Sequence, residues 1–281
     1  MRALVRSAPA VATLALLLAV PATGQSVQDV VDEMYDVFTS SAAGVDNYTL
    51  VQNSMGFETL SYFEKEMVDG RPRFRLRQTG AGGGGMNFGS DAPGSVDIFS
   101  TGQDLVEHGR YAGREDVNGV SAHVIVVDDL SQVDFGPPAS PDDMDFVPVS
   151  GKMFIDVSRH VPVRMEFDGR ATTETGEHDV TMRMNMLDYR ETQGLLTPFR
   201  VVMEIDGFQA MIDPEMQEQL EEFERQMESM PESQRAMMES MMGDRMESIR
   251  AMMAGGDGPM TFEVTVTEVR VNAGPPGASP E

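Results

Sequence analysis

Hydrophobic and polar positions alternate along this chain with two periods in three blocks. Over 27 to 38, Val27, Val30, Val31, Met34, Val37 and Phe38 recur at three and four residues, which predicts a helix with one apolar face. From Tyr48 the period becomes two and persists to about Asp206. Val161, Val163, Met165 and Phe167 alternate with Pro162, Arg164, Glu166 and Asp168; Phe199, Val201, Met203 and Ile205 alternate with Arg200, Val202, Glu204 and Asp206. Such strands bury one face each, which predicts an antiparallel sheet rather than a parallel one buried on both sides.

One hairpin can be set in register. Asp69-Gly70 suits a two-residue turn, so pairing outward places Glu66 opposite Arg73 and Glu64 opposite Arg75, with Phe63, Met67, Phe74 and Leu76 on the other face. Arg71, Arg73, Arg75 and Arg77 therefore read as a charge-paired, solvated face rather than an anion site. Similar runs give about eleven strands: 47 to 54, 57 to 68, 71 to 78, 95 to 100, 103 to 107, 119 to 127, 151 to 157, 161 to 168, 178 to 188, 198 to 206 and 259 to 271. Two loops, 80 to 94 with its run of glycines and 128 to 148 rich in Pro and Asp, interrupt them.

The third block returns to helical spacing. Ile212, Met216, Leu220, Phe223, Met227 and Met230 are followed, after Pro231, by Met238, Met242, Met246, Ile249 and Met253. This predicts a Met-rich helical hairpin over 212 to 256, inserted between the last two strands of one β domain spanning 25 to 271. Its apolar positions, Met216, Leu220, Phe223, Met227, Met238, Met242, Met246 and Met253, would form an interaction arm. Residues 272 to 281 read as a disordered tail. Residues 1 to 24 have Arg2 and Arg6, an apolar run too short to span a bilayer, and small residues at 22 to 24, which predicts a cleaved signal peptide and an exported, periplasmic protein.

Composition narrows the chemistry. The absence of cysteine excludes disulfides, thiolate metal sites and a cysteine nucleophile. A net charge of -25 repels phosphates, which argues against nucleic acid as a partner. No further stretch is long and apolar enough to predict a membrane span. The four histidines, His108, His123, His160 and His178, form no close metal-ligand pair. Ser121 sits mid-strand, without the closing glycine of a nucleophile elbow. Gly82 to Gly85 lacks the lysine of a phosphate loop, and the Asp142, Asp143 and Asp145 spacing matches no calcium loop. The sequence thus predicts no enzyme, no cofactor and no metal. Met182, Met184 and Met186 project from one strand face; thioethers suit Cu(I), but unbranched Met also fills apolar space, and packing is the preferred reading.

Three stretches carry a resemblance: residues 111 to 119 (YAGREDVNG) before a strand, 154 to 163 (FIDVSRHVPV) across a hairpin, and 188 to 199 (DYRETQGLLTPF). With the leader, the single amphipathic helix and the strand series, the chain resembles the LolA/LolB/RseB superfamily, in particular its outer-membrane lipoprotein-sorting relatives. The resemblance implies an α+β fold: a large antiparallel, unclosed barrel-like sheet whose concave apolar face holds acyl chains beneath a helical lid. The 212 to 256 arm departs from the plain carrier pattern. The expected role is a non-enzymatic carrier of lipid or lipoprotein acyl chains. Val30, Met34, Phe38, Met165, Phe167, Met182, Met184, Met186, Val201 and Met203 are expected to line its cavity. The alternatives are an envelope-stress sensor or scaffold that binds an envelope protein through the Met-rich arm and, behind it, Cu(I) binding.

Overall fold

A computed structural model describes residues 25–54, 56–68, 71–82, 98–133, 145–173, 176–207, 225 and 259–276. Within them the chain forms helix α1 (Val27–Ser41), strands β1 (Asn47–Ser54), β2 (Phe57–Val68) and β3 (Arg71–Gly82), and helix α2 (Ile98–His108). Then follow β4 (Gly109–Val117), β5 (Val120–Val127), a 3-10 turn at Leu130–Gln132, β6 (Asp145–Asp156), β7 (Pro162–Thr173), β8 (Gly176–Thr192), β9 (Leu195–Asp206) and β10 (Met260–Val271). The ten strands make one antiparallel sheet in the order β3-β2-β1-β10-β9-β8-β7-β6-β5-β4. It is unclosed, with β3 and β4 as its edges, and the fold is an α+β half-barrel.

The strand pattern of the sequence reappears with two changes of element and one of extent: β6 starts at Asp145, inside the 128 to 148 segment expected as a loop. Segments 95 to 100 and 103 to 107, expected as strands, fall largely in α2. Leu105 is fully buried there, and Gly102 lies so close to α1 that an added Cβ would meet the Tyr35 hydroxyl at 2.3 Å. Helix-on-helix packing has overridden the local strand preference of Ile, Phe, Leu and Val. Residues 109 to 117, which the sequence leaves unassigned ahead of the 119 to 127 strand, form β4. Its Arg110, Arg114, Glu115 and Asp116 and a bulge between Tyr111 and Gly113 are features of an edge strand, which pairs on one side and needs little apolar pattern. Among the described residues the count is therefore ten strands rather than eleven.

The β2–β3 hairpin has the register read from the sequence: Glu64 faces Arg75, Glu66 faces Arg73, Met67 faces Pro72 and Phe63 faces Leu76. Its ion pairs run diagonally. Arg77 Nε lies 3.2 Å from Glu64 Oε2, and Arg77 Nη2 lies 3.4 Å from Glu66 Oε2. On the other face Phe63 and Phe74 are buried, and Tyr48 of β1 stacks on Phe63 with ring centroids 4.7 Å apart. Met67, toward the end of β2, is 62% exposed.

Helix α1 starts with a full capping box, Ser26 accepting from Asp29 N–H while the Asp29 carboxylate accepts from Ser26 N–H, and ends with Ala42 N–H donating to the Phe38 carbonyl. Its Val27, Val30, Val31, Met34, Tyr35 and Phe38 are buried against the inner face of the sheet and against α2. The C-terminal end of β10 is tied to the turn after α1. Asn272, placed in the tail by the sequence, accepts from Asp46 and Asn47 N–H through its side chain and donates to the Gly44 carbonyl. Beyond 276, the tail lies outside the described residues. So do the leader, the 83 to 97 stretch, and Asp142 and Asp143; of the 212 to 256 arm only Arg225 is described, in a helix.

Candidate functional site

Strand alternation and antiparallel register together build a row of side chains straight across the inner face. Tyr111 of β4 pairs with Ile125 of β5, Ile125 with Met153 of β6, Met153 with Met165 of β7, Met165 with Met184 of β8, Met184 with Met203 of β9, and Met203 with Phe262 of β10. Four thioethers thus stand side by side on four neighbouring strands. The row crosses seven strands, about 29 Å at 4.8 Å per strand spacing. Phe167, Met182 and Ile205 form part of a parallel row beside it, and Met186 pairs with Val201 on its other side.

The structure brings the ten residues singled out in the sequence into one apolar cluster. Val30, Met34, Phe38, Met165, Met184, Met186, Val201 and Met203 are buried in it, and Phe167 and Met182 pack against it half-buried. Sequence reading left out Met153, Ile125, Tyr111 and Phe262. Met153 and Ile155 do alternate with Lys152 and Phe154, so part of that signal was present; Tyr111 lies on a polar edge strand and carries no such signal. The arm positions Met216, Leu220, Phe223, Met227, Met238, Met242, Met246 and Met253 lie outside the described residues.

The face is covered rather than open. Helix α1 lies on it, with Val30 and Met34 wholly buried, and α2 adds Leu105. Leu105, Val127, Gly151, Lys152, Met153, Met165 and Phe167 line a void of about 10 Å³, room for one water molecule at most. Below α1 the methionine row is buried against the helix.

The opposite face carries charge. Glu166 of β7, 18% exposed, lies 3.2 Å from Arg183 Nε, 3.6 Å from Arg164 Nη1 and 3.9 Å from Lys152 Nζ; Arg183 reaches on to Glu204 at 2.9 Å. Hydrogen bonds to Glu204 and Glu166 hold the Arg183 guanidinium above its ordinary pKa, against the opposing effect of burial. A chain of paired charges across β6 to β9 keeps this face solvated and fixes which face is turned inward.

At one end of the inner face, buried polar groups replace the methionines. His123 is 1% exposed, and its Nδ1 lies 3.0 Å from the Tyr111 hydroxyl. Burial holds its imidazole below the ordinary histidine pKa; Arg114 and His160 act the same way, and Glu33 opposes them. Tyr189 donates to the Pro162 carbonyl at 2.7 Å, and burial pushes its phenol strongly upward, Arg159 opposing. No set of three or more His, Asp or Glu side chains among the described residues is placed to hold a metal ion. Ser121 is an exposed residue within β5.

The fold and face define a class: an unclosed antiparallel half-barrel with its apolar, methionine-lined concavity occupied by helices. No protein-family model matches the sequence, and no curated protein does. Among solved structures the fold is similar to a domain described as outer membrane lipoprotein-sorting from Vibrio parahaemolyticus, at 9% identity and a TM-score of 0.41 over 89% of this chain and 93% of that one. It is similar also to a DUF1329 family protein from Desulfovibrio piger (10% identity, TM-score 0.39, 88% of this chain and 92% of that one). A third likeness is to a chain of the MucA/MucB complex of Pseudomonas aeruginosa (12% identity, TM-score 0.21, 63% of this chain and 87% of that one). No helix among the described residues is long and apolar enough to cross a membrane.

Proposed function

We propose that the protein is a non-enzymatic, periplasmic carrier of acyl chains, lipid or lipoprotein, and that the methionine row is its ligand face. The single observation that supports this most is the row itself: Met153, Met165, Met184 and Met203 aligned across four strands beneath a helix. Thioether side chains rearrange at little cost, so the same face can pack on α1 or on a flexible hydrocarbon. Its length of about 29 Å exceeds the roughly 15 Å spanned by the acyl chains of one bilayer leaflet. Each methylene that takes the place of α1 on this face contributes about 0.8 kcal/mol of burial. Because α1 lies on the row, uptake there requires the helix to move aside, and the ligand replaces the contacts of Val30, Met34 and Phe38. A cleaved leader at residues 1 to 24 and a single β domain over 25 to 271 complete this reading.

The cover that α1 lays over the row also favours a second reading, a scaffold or envelope-stress sensor that engages an envelope protein through the 212 to 256 arm and never opens its core. Native mass spectrometry of the protein recovered from its own cells separates the two. The carrier reading expects adducts with the masses of acyl lipids or lipopeptides; bare protein, or protein bound only to another chain, contradicts it.

A further inference from the structure

Helix α1 is fastened differently at its two ends. At the C-terminal end Lys65 Nζ donates to the carbonyls of Ala42 at 3.1 Å and Ala43 at 3.3 Å, a cation set against the negative end of the helix dipole. That tie is made without a histidine. The N-terminal end instead meets titratable groups from two other elements. Glu33 Oε2 lies 3.2 Å from His160 Nδ1, and Arg114 of β4 donates to Gln25 Oε1 at 3.4 Å. His160 has a φ of 54° and closes the β6–β7 turn, its N–H donating to the Asp156 carbonyl at 2.9 Å. His123 of β5 pairs in register with Arg114 and lies on the inner face, hydrogen-bonded to Tyr111.

We propose that Glu33, His160, His123 and Tyr111 form an acid-sensitive clasp, in which protonation of His123 releases the N-terminal half of α1 from the sheet while Lys65 retains the C-terminal end. The inference concerns the motion of the helix and stands whether or not the face beneath it takes a lipid.

The geometry supplies the mechanism. A neutral His123 presents one donor and one acceptor nitrogen, so Nδ1 and the Tyr111 hydroxyl share one hydrogen bond satisfactorily in either direction. In the imidazolium both nitrogens are donors, so the hydroxyl can only accept. The new charge would also be almost wholly buried, next to Arg114 and, once protonated, His160, with Glu33 as the counter-charge from α1. Asp156 and Arg159, the other charges of the His160 turn, are paired or engaged there: Asp156 accepts from Ser158 and Arg159 N–H, and Arg159 reaches the Tyr189 carbonyl. Moving α1 outward lets water reach the imidazole, which relieves the cost.

The sign follows from the downward shift of His123. Closure is at full strength above the ordinary histidine range and is lost as pH falls from about 6.5 toward the lower value of the packed state. His160 and Glu33 form the neighbouring pair. With side chains 30% and 45% exposed, that pair is screened and secondary.

Amide hydrogen exchange on the full chain, corrected for the intrinsic pH dependence of exchange, tests the clasp. Protection of the α1 segment is expected to be lost progressively between roughly pH 7.5 and pH 5, while β7 and β8 keep theirs. His123→Gln, which retains a partner for Tyr111, should flatten this dependence; His160→Gln should leave it. Should His123→Gln not fold, the imidazole resonances of the unaltered protein give the second readout, because His123 must titrate below the ordinary range in step with the loosening of α1. Constant α1 protection, loss of the strands in parallel with the helix, a pH dependence that survives in His123→Gln, or a His123 titration out of step with the helix would each overturn the proposal.

Discussion

Asp156 is 4% exposed, yet it remains a carboxylate because its turn is built around it. Burial pushes its carboxyl up, but the Ser158 hydroxyl and the Ser158 and Arg159 N–H groups donate to it, Arg159 adds its charge, and together they leave it below its ordinary pKa. A group shifted down stabilises the fold above about pH 4, and that contribution is lost as pH falls through the lowered value. Asp156→Asn should therefore cost about 1 to 2 kcal/mol in urea unfolding at neutral pH, and the cost should shrink as pH falls through the lowered value and the carboxylate takes up its proton. A cost that does not change with pH would mean that the turn depends on shape rather than on the carboxylate. The same turn delivers His160 toward α1, so a short-range Asx motif in the sequence 156 to 160 sets a long-range contact. The four histidines are far apart in the sequence, and nothing in their spacing announced that His123 and His160 would lie at the same end of the sheet. Only the register of β4 with β5 and the return of β6 into β7 bring them together.

Elements were legible where one face is buried and the other wet. The β2–β3 hairpin was readable residue by residue, since Glu64, Glu66, Arg73 and Arg75 alternate with Phe63, Phe74 and Leu76 and fix both register and face. β4 was not readable, because an edge strand is stabilised by one neighbour and tolerates Gly, Arg, Glu and Asp. The sequence of α2 reads as two strands, because an eleven-residue helix with one each of Ile, Phe, Leu and Val gives periodicity little room to decide. What makes it a helix lies in α1: Gly102 lets Tyr35 approach within contact of the α2 backbone. Tyr35 is 6% exposed, so its ring cannot retreat freely from a new methyl group. Gly102→Ala gains helix propensity of about 1 kcal/mol but forces the two helices apart, at a typical overpacking cost of about 1 to 3 kcal/mol. The net expectation is a lower thermal midpoint with faster exchange in α2. A higher midpoint would show that the α1–α2 contact has slack and that α2 is not held by this approach.

At the scale of the molecule, one sheet does two opposite jobs on its two faces. The outer face neutralises itself with the Glu166, Arg183 and Glu204 chain, while the inner face carries an uncharged band of Met, Ile, Val and Phe under two helices. The sequence already showed that Met182, Met184 and Met186 share a face, but not that Met153, Met165 and Met203 would join Met184 in one row. That alignment depends on the relative registers of four strands, including the irregularities in the β6–β7 pairing, which alternation within single strands does not determine. The central claim is that this row is a ligand face. The most direct test is a titration of the folded protein with a fluorescent long-chain fatty acyl probe, beside Met184→Leu and Met184→Asp. Met184→Leu keeps the apolar volume and should cost less than about 1.5 kcal/mol of stability. Met184→Asp places an unpaired charge at a position 5% exposed in the native protein, so its folding must be verified at the titration temperature. Saturable binding with a Kd of about 1 μM or tighter is expected, kept in Met184→Leu and sharply weakened in folded Met184→Asp. Absence of binding by the folded native protein, or equal binding by folded Met184→Asp, would contradict it.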